Sequence, residues 1–320
     1  MVDFEPFHVQ RKVPSVAGVT RIRTPFDTKT TAAEILAGVD LSGRRIIVTG
    51  GTSGIGLETV RALEGAGAEV TVATRNPTDG RPPVDLSDLD SVRAFVSGWT
   101  GPVHAIVANA GIMMVPTREV AANGWELQLA TNFLGHFALV TGLYENLRQA
   151  GGARVVVVSS GAQLRAPFDF DDPHFERRPY DPFTAYAQSK TADVLLAVGI
   201  ARRWAADGIT ANALDPGRIH TNLQRYLDHA TRRAAGAIDD EGNLLMPDNY
   251  KTPEQGASTS VLLTASPLVE RVTGRFFWHD NQEAEVVPGG PDAPPGVAAW
   301  AIDPVAADRL WDHALAAVRT

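Results

Sequence analysis

A tyrosine and a lysine four residues apart, Tyr186 and Lys190, are the pair in this sequence best suited to moving a proton. At this spacing on a helix the two side chains share a face. A free phenol has a pKa of about 10, and a neighbouring ammonium group favours the phenolate and lowers that value. The pair therefore predicts a proton donor for a carbonyl group that receives a hydride. Such pairs also occur on exposed helices without any catalytic role.

Two adjacent serines, Ser159 and Ser160, follow the valine run Arg154–Val158, which is typical of a strand covered on both faces. The carboxyl ends of parallel strands line the ligand crevice of an open sheet. A serine at this point can hold a substrate oxygen against Tyr186. The alternative is that the serine only caps the next element.

A glycine-rich turn, TGGTSGIG over residues 49–56, separates a strand-like run from a helix-like run. Gly50 allows a tight turn, Gly54 lets the backbone approach a pyrophosphate, and Gly56 permits close packing of helix on strand. The helix that follows directs free N–H groups toward phosphates. The glycines could merely ease the backbone, but their place near the start of an alternating pattern favours a dinucleotide.

The segment after the second predicted strand, Ala73–Asn76, indicates which dinucleotide binds. An acidic residue there would bind the ribose 2′-hydroxyl of NAD, whereas an arginine accommodates the 2′-phosphate of NADP. Arg75 occupies this segment and no carboxylate does, so we expect NADP(H) rather than NAD(H). The alternative is an ordinary exposed arginine. Asp85 either accepts a hydrogen bond from the adenine amino group or caps a helix over 87–97.

Strand-like and helix-like segments alternate along the chain. Strands are predicted over 45–49, 69–74, 103–108, 154–159 and 209–214. Helices are predicted over 32–36, 57–66, 91–99, 186–206 and 308–319, with one or two more between 125 and 149. This alternation predicts an α/β fold: a single Rossmann-type, doubly wound parallel sheet with helices on both faces. We expect residues 1–40 to form an extension that packs on a catalytic domain over 41–320, and residues 288–304 to form a surface loop.

Composition narrows the range of partners. The formal net charge of −8 disfavours nucleic acid and anionic membranes. The chain has no cysteine and no HExxH pair, so we expect neither disulfides nor a catalytic metal. No apolar stretch approaches the roughly 20 residues that span a bilayer, and a secretory signal pattern is missing. We therefore expect a cytoplasmic protein that acts on a small molecule.

Taken in order, these residues resemble the short-chain dehydrogenase/reductase family. The matching marks are TGGTSGIG (49–56), Asp85-Leu86, Asn109-Ala110-Gly111, Asn132, Ser160, Tyr186-x-x-x-Lys190 and Pro216-Gly217. They cover about residues 42–223 and are specific as a set. The segments 74–76 and 132–137, and the 25 residues between Ser160 and Tyr186, are most similar to the subgroup that contains retinol dehydrogenases, WW-domain oxidoreductases and protochlorophyllide reductases.

The resemblance implies a role for each matching residue. Asn132, Ser160, Tyr186 and Lys190 would form the catalytic group, with Asn132 holding a water that links Lys190 to solvent. Ser160, not Ser159, matches the catalytic position. Cofactor contacts are implied for Gly50, Thr52, Ser53, Gly54, Ile55, Gly56, Arg75, Asp85, Leu86, Asn109, Ala110, Gly111, Tyr186, Lys190, Pro216, Gly217, Ile219 and Thr221. Homodimers and homotetramers through helices at 128–149 and 186–206 are common in the family.

Two segments, 162–184 and 222–249, are expected to border the substrate pocket as lids. Their apolar residues are Phe168, Phe170, Phe175, Tyr180, Phe183, Tyr226, Leu227, Leu244, Leu245 and Met246. They favour a medium-to-large apolar carbonyl or alcohol, unless they only pack the lids onto the body. Two other functions stay open: an NADP-binding sensor without turnover, and a cofactor-dependent epimerase or dehydratase. The presence of both Tyr186 and Lys190 argues against the sensor, and the roughly 100 residues after Pro216 leave little room for an epimerase's substrate domain.

Overall fold

The computed structural model describes residues 21–77, 80 and 83–319, so residues 1–20 of the predicted extension lie outside the described part. The strands are β1 Arg45–Thr49, β2 Glu69–Ala73, β3 Ala105–Ala108, β4 Arg154–Val158, β5 Thr210–Leu214, β6 Phe276–Phe277, β7 Val286–Val287 and β8 Val297–Ala298. The α-helices are α1 Ala32–Ile35, α2 Gly54–Gly65, α3 Leu89–Ser97, α4 Leu127–Leu129, α5 Gly135–Gly142, α6 Tyr144–Gln149, α7 Pro182–Trp204, α8 His229–Ala234, α9 Pro253–Gly256, α10 Ser258–Ala265 and α11 Pro304–Arg319.

The first six strands form one sheet in the order β2-β1-β3-β4-β5-β6, and every neighbouring pair is parallel. The chain moves to one side of β1 with β2 and to the other side with β3. The strand order therefore reverses between β1 and β3, where open α/β sheets bind ligands beyond the carboxyl ends of the strands. The predicted doubly wound, Rossmann-type sheet is confirmed.

Alternate residues of each strand enter two separate cores, because side chains of a strand point to opposite faces. In β4, Val155 and Val157 belong to the core that includes residues of α5, α7 and α11. Val156 and Val158 belong to the core that includes residues of α2 and α10. The valine run is thus covered on both faces, as its composition predicts.

Helix α7 begins at Pro182, four residues before the predicted start at Tyr186. Asp181 caps it by accepting a hydrogen bond from the Thr184 N–H at 2.7 Å, and a proline at the first helical position costs no hydrogen bond. Tyr186 therefore lies in the second turn of a capped helix and not at a frayed helix end. Among the described residues, no helix has both the length and the apolar character needed to cross a bilayer.

The region predicted as one or two helices between 125 and 149 consists of α4, a π-helical turn, α5 and α6. The π-helical turn covers Ala130–Leu134 and contains Asn132. Glu126 caps α4 by accepting hydrogen bonds from the N–H groups of Gln128 and Leu129. Single π turns inside α-helices are frequent at functional sites because they re-aim a side chain.

Helix α11 packs along α7 near its C-terminal end. Asp308 accepts hydrogen bonds from Arg202 and Arg203 at 2.9 and 2.7 Å, and the Trp311 ring covers Gly199. The chain itself therefore covers this part of α7. Helix α11 begins at Pro304 and the short strand β8 precedes it, so the prediction of an unbroken loop over 288–304 is wrong at its end.

The N-terminal segment packs on the loop after β6. The Ile22 N–H donates to Glu283 at 2.7 Å, and the Thr24 N–H donates to the Gln282 side chain at 2.8 Å. Asn281 donates to the Asp27 carbonyl oxygen at 2.7 Å. This segment then leads into α1, which the Thr31 capping box starts where the sequence predicts.

Candidate active site

The residues that the sequence identifies meet in one cleft of about 1200 Å³ at the carboxyl ends of the central strands. Its walls include Gly50, Thr52, Ser53, Gly54, Ile55, Gly56, Arg75, Asp85, Leu86, Asn109, Ala110, Gly111, Ser160, Tyr186, Lys190, Pro216, Gly217, Ile219 and Thr221. Asn132 is the exception among the predicted residues, since it is fully buried within the π-helical turn.

The glycine turn at one end of the cleft leaves no room for side chains. Gly50 has a φ of +66°, and a Cβ on Gly56 would lie 2.3 Å from the Gly50 carbonyl oxygen and 2.5 Å from Asn109 Nδ2. In the described structure Ser53 precedes α2 without a capping hydrogen bond from its side chain, so the first N–H groups of α2 face the cleft unclaimed by a cap. A bare backbone turn followed by a helix N-terminus fits a dinucleotide's phosphates.

Arg75 and Asp85 stand near the glycine turn. Arg75 is exposed at the rim of the cleft. The Asp85 carboxylate accepts hydrogen bonds from the Ser87 N–H at 2.9 Å and the Ser87 hydroxyl at 2.6 Å, while Asp88 caps α3. The alternative that Asp85 caps this helix is therefore wrong, and its side chain remains part of the cleft wall.

A buried network behind the cleft fixes the loop that follows β3. The Thr49 hydroxyl accepts hydrogen bonds from the N–H groups of Asn109 and Ala110, both at 2.9 Å. It also lies 2.8 Å from His136 Nε2, while His136 Nδ1 lies 2.7 Å from the Asn132 carbonyl oxygen. Burial lowers the pKa of His136 to about 4, so the imidazole is neutral. A proton on Nδ1 then satisfies every partner, because the Thr49 hydroxyl must donate to Nε2.

Asn132 joins the loop after β3 to helix α7. Its Oδ1 accepts from the Ile112 N–H at 2.9 Å, and its Nδ2 donates to the Ile112 carbonyl oxygen at 3.0 Å and to Ser189 Oγ at 2.9 Å. The oxygen and the nitrogen of the Asn132 side chain therefore both have protein partners. One of these partners, Ser189, lies three residues after Tyr186 on α7. The water-holding role implied by the resemblance stays a prediction.

The two serines after β4 both border the cleft, but their hydroxyl groups have different partners. Ser159 is buried and donates a hydrogen bond to the Lys190 carbonyl oxygen at 2.7 Å. Ser160 lines the cleft, where its hydroxyl accepts from the Ala162 N–H at 3.1 Å. A hydrogen bond with Ser160 also acts on the Tyr186 phenol. Ser160 is consequently the serine within reach of a bound substrate.

The Tyr186 side chain is only 4% exposed, although it reaches the cleft. Burial raises the pKa of Tyr186, while the charge of Lys190 and the hydrogen bond with Ser160 lower it by less. Lys190 therefore acts in the predicted direction, but desolvation outweighs it in the protein alone. The positive charge of an oxidised nicotinamide would add to the lowering effect.

Lys190 is buried beside the cleft and has an acidic partner, Asp193, that the family resemblance does not predict. Its Nζ donates to the Val158 carbonyl oxygen at 3.0 Å and to Asp193 Oδ2 at 2.8 Å. Burial lowers the pKa of Lys190, but the charges of Asp193 and Tyr186 outweigh burial and raise it overall. An acid three residues after Lys190, inside an otherwise apolar run, was the available signal.

The structure separates the apolar residues that were expected to border the pocket. Phe183 and Tyr226 line the cleft, together with Leu223 and Tyr250. Phe168 and Phe170 border a different cleft. Phe175 packs against Tyr180 at 5.3 Å between ring centroids, and Leu244, Leu245 and Met246 are exposed. The expectation that these ten residues line one pocket is therefore wrong for most of them.

A second buried acid, Asp215, lies at the cleft end of β5. It accepts a hydrogen bond from the Gly161 N–H at 3.1 Å, and burial raises its pKa against the lowering effects of His279 and Lys251. Burial in turn lowers the pKa of Lys251 to about 8, and its Nζ donates to the His279 carbonyl oxygen at 2.7 Å. The sequence gives no local signal for this cluster, because its members are far apart in the chain.

Comparison with known proteins agrees with this geometry. The chain belongs to the short chain dehydrogenase family, whose model matches residues 44–232. It is therefore an oxidoreductase that acts on alcohol or carbonyl groups.

Several curated sequences are similar to this chain over most of its length. A protein named "Probable oxidoreductase" from Streptomyces antibioticus is 62% identical, over 88% of this chain and 99% of its own. Polyprenol dehydrogenase from Homo sapiens is 36% identical over 75% of this chain and 78% of its own. Retinol dehydrogenase 14 from Mus musculus is 32% identical over 85% of each chain. These relatives confirm the predicted retinol-dehydrogenase-like subgroup.

Solved structures share the fold. A protein from Mycobacterium paratuberculosis matches with a TM-score of 0.68 and 29% identity, over 91% of this chain and 98% of its own. A chain described as an NAD(P)-dependent gluconate 5-dehydrogenase from Beutenbergia cavernae, with bound NADP, matches with a TM-score of 0.57 and 26% identity. That match covers 76% of this chain and 97% of the other.

Proposed function

We propose that this protein is an NADP(H)-dependent reductase or dehydrogenase that transfers a hydride between the nicotinamide and a medium-to-large apolar carbonyl or alcohol. One observation carries the proposal: a buried phenol beside an ammonium group, with a serine hydroxyl, lies in the same cleft as a bare glycine turn. The turn suits a dinucleotide, and the phenol suits proton transfer at a substrate oxygen.

NADP is the proposed dinucleotide because Arg75 stands at the rim near the glycine turn, where a 2′-phosphate would lie. Ser53 does not supply a basic side chain, so Arg75 would bind the phosphate with its own guanidinium group. The solved gluconate 5-dehydrogenase with bound NADP supports this choice. Asp85 would meet the adenine, and Pro216, Gly217, Ile219 and Thr221 would meet the nicotinamide end.

Each catalytic residue has a distinct task in the proposed reaction. The Ser160 hydroxyl would hold the substrate oxygen, and the Tyr186 hydroxyl would donate a proton to it during reduction or accept one during oxidation. The Lys190 ammonium would stabilise the phenolate that remains after donation. When bound, the nicotinamide would supply or accept the hydride. The burial of Tyr186 and Lys190 keeps bulk water from the proton that is transferred.

The substrate side of the cleft supports an apolar ligand. Five large apolar or aromatic side chains line the cleft: Met113, Phe183, Leu223, Tyr226 and Tyr250. The relatives named polyprenol and retinol dehydrogenases, by their names, act on long apolar alcohols. An oligomer would not use the C-terminal part of α7 as its interface, because α11 covers this part of the helix.

The proposal is tested by mixing the protein with NADPH and a panel of apolar ketones and aldehydes, and following NADPH absorbance. We expect NADPH consumption with at least one carbonyl, and loss of turnover in Tyr186→Phe with NADPH binding retained. Tight NADPH binding without any turnover would instead identify a sensor. No binding of either dinucleotide would refute the proposal.

Cofactor choice is tested with Arg75→Ala. We expect NADPH to bind at least about tenfold more weakly, since a charged hydrogen bond is lost, while NADH changes by less than about twofold. Calorimetric titration with each dinucleotide measures this difference. Arg61→Ala removes an arginine that pairs with Glu58 on the exposed side of α2 and serves as the control. Equal losses for NADPH and NADH would remove the assignment of Arg75.

A further inference from the structure

Asp193 places a carboxylate against the catalytic lysine in the interior of the protein. Its Oδ2 lies 2.8 Å from Lys190 Nζ, and the two side chains are 1% and 5% exposed. Its other oxygen, Oδ1, is buried and has no hydrogen-bond partner among the described residues. The neighbours of Asp193 along α7 are Ala192 and Val194, both buried in the apolar core.

An acid in such a place is costly, because burying a carboxylate removes its hydration and half of this one remains unpaired. An apolar residue would fill the same space at lower cost. The position therefore calls for a reason other than packing, and the only charged group that Asp193 contacts among the described residues is Lys190.

The total charge of the buried group formed by Tyr186, Lys190 and Asp193 depends on whether the Asp193 carboxylate is ionised. With the carboxylate ionised, Lys190 and Asp193 cancel, and loss of the Tyr186 proton leaves the group with a net charge of −1. Without the carboxylate, the same loss takes the group from +1 to zero. A buried site disfavours net charge, so the second ionisation is the easier one, whichever of the two partners, Tyr186 or Lys190, gives up the proton.

We infer that Asp193 is a positioning residue that holds the Lys190 ammonium in place and neutralises it, so that Tyr186 keeps its proton to a more alkaline pH. This inference rests on the proposed function and extends it. A protonated Tyr186 is the form that donates to a carbonyl oxygen, so Asp193 biases the site toward reduction of carbonyls.

Other groups also face Tyr186 and Lys190, and Asp215 raises the pKa of Tyr186 by more than Asp193 does. His136, which faces Lys190 from α5, is neutral because burial lowers its pKa to about 4. Asp215, at the end of β5, acts on Tyr186 in the same direction as Asp193, since both carboxylates raise the pKa of the phenol. Ser160 contributes a hydrogen bond and no charge.

The effect of Asp193 has a defined pH range. Burial raises the pKa of Asp193 to about 7, while Lys190 lowers it by less. The carboxylate is thus lost as the pH falls through about 7, where Tyr186 is protonated in any case. Above that pH the charge of Asp193 is present and delays the ionisation of Tyr186 toward more alkaline pH.

The first test is the pH profile of Asp193→Asn, which keeps size and a hydrogen-bond acceptor but removes the charge. We expect the midpoint for alcohol oxidation with NADP⁺, and for the alkaline loss of carbonyl reduction, to move down by about one pH unit or more. This corresponds to a roughly tenfold larger phenolate fraction at a fixed pH below the midpoint. Asp308→Asn removes a carboxylate of α11 that is paired with Arg202 and Arg203 at the far end of α7. This control variant should leave both midpoints unchanged.

The second test needs no substrate, so it separates this inference from the proposed function. The ultraviolet absorbance of the Tyr186 phenolate is obtained as the difference between each protein and its Tyr186→Phe counterpart during a pH titration. In the wild-type background we expect Tyr186 to ionise above pH about 10, and in Asp193→Asn or Asp193→Ser at clearly lower pH.

Two results would overturn the inference. One is ionisation of Tyr186 below about pH 8 in the wild-type protein without cofactor. The other is a Tyr186 midpoint that the Asp193 variants leave unchanged although circular dichroism shows them folded. Should both variants unfold, the wild-type titration decides alone. Absence of turnover in all proteins, with the spectroscopic shift present, would refute the proposed function and leave this role of Asp193 intact.

Discussion

At the scale of single residues, adjacent side chains of the active site face very different surroundings. Ser159 and Ser160 both border the cleft, but the Ser159 hydroxyl donates to the backbone of α7 and the Ser160 hydroxyl accepts from the Ala162 N–H. His136 is buried and neutral behind the cleft, whereas Lys190 beside the cleft carries a charge. The chemistry available to each residue therefore depends on the direction in which the backbone points it and on its burial.

The two serines are distinguished by single alanine substitutions. Ser160→Ala removes a hydroxyl that would hold the substrate oxygen, and we expect kcat to fall by about 100-fold or more with unchanged stability. Ser159→Ala removes a buried hydrogen bond, and we expect a loss of about 1 kcal/mol in the free energy of unfolding with activity largely kept. Steady-state kinetics and urea unfolding measure both. The reverse pattern would place the catalytic serine at 159.

His136 predicts a pH dependence of stability. Its pKa in the folded protein is about 4, below the ordinary 6.5, so the unfolded chain takes up the proton first as the pH falls. Stability should therefore decrease between pH about 6.5 and 4, by about 3 kcal/mol for this group. In His136→Asn the decrease over this range should be smaller, although stability at pH 7 is lower. Urea unfolding at several pH values checks this, with the exposed His229→Asn as control; parallel curves for wild type and His136→Asn would contradict it.

At the scale of elements, close approaches between backbone segments shape the cleft. The glycine turn packs directly on the loop after β3, and Gly135 of α5 lies so near Leu86 that a Cβ there would be 2.2 Å from its carbonyl oxygen. The π-helical turn then carries Asn132 to its partners on α7 and on the loop after β3. These backbone segments can lie this close together only if glycine occupies the contact positions.

Two glycines of α2 provide a matched comparison. In Gly56→Ala the new Cβ would meet the Gly50 carbonyl oxygen at 2.3 Å, so we expect a loss of about 2 kcal/mol in stability and at least about tenfold weaker NADPH binding. Gly65→Ala, at the end of the same helix, meets no atom within 4 Å and should be neutral or stabilise by up to about 1 kcal/mol. Thermal unfolding and calorimetry measure the two effects. Similar behaviour of both variants would show that the turn does not depend on the missing Cβ.

At the scale of the whole molecule, segments that are distant in sequence pack together beside β6. The segment from Ile22 to Asp27 lies on the loop after β6, more than 250 residues later in sequence. Asn281 is central to this contact: it is fully buried, has a φ of +65°, and its Oδ1 accepts from Ser258 and Thr259. Residues 22–27 are thus held to the loop after β6 by partly buried hydrogen bonds.

Substitution of Asn281 tests how much its side-chain hydrogen bonds contribute to stability. Asn281→Ala removes three side-chain hydrogen bonds and leaves alanine with a positive φ, so we expect a loss of about 3 kcal/mol in the free energy of unfolding. Asn281→Gly tolerates the backbone conformation and should lose about 1 kcal/mol less. Urea unfolding gives the stabilities, and hydrogen exchange should show faster opening of residues 21–31. Stability equal to that of Asn249→Ala, an exposed control, would contradict the prediction.

The sequence by itself determined the features that depend on neighbours in the chain. The alternation of apolar runs predicted the parallel sheet, the glycine turn marked the phosphate end of the cleft, and the spacing of Tyr186 and Lys190 placed both on one helix face. Each of these follows from local backbone geometry, which a short stretch of residues fixes.

The tertiary structure alone decided how the cleft is lined and how its groups are charged. Only the folded chain buries the neighbouring pair Lys190 and Asp193, joins Thr49 to His136 across 87 residues, and puts Phe183 but not Phe168 in the cleft. The physical reason is that burial and partners set the protonation of a group, and both come from contacts between segments far apart in sequence.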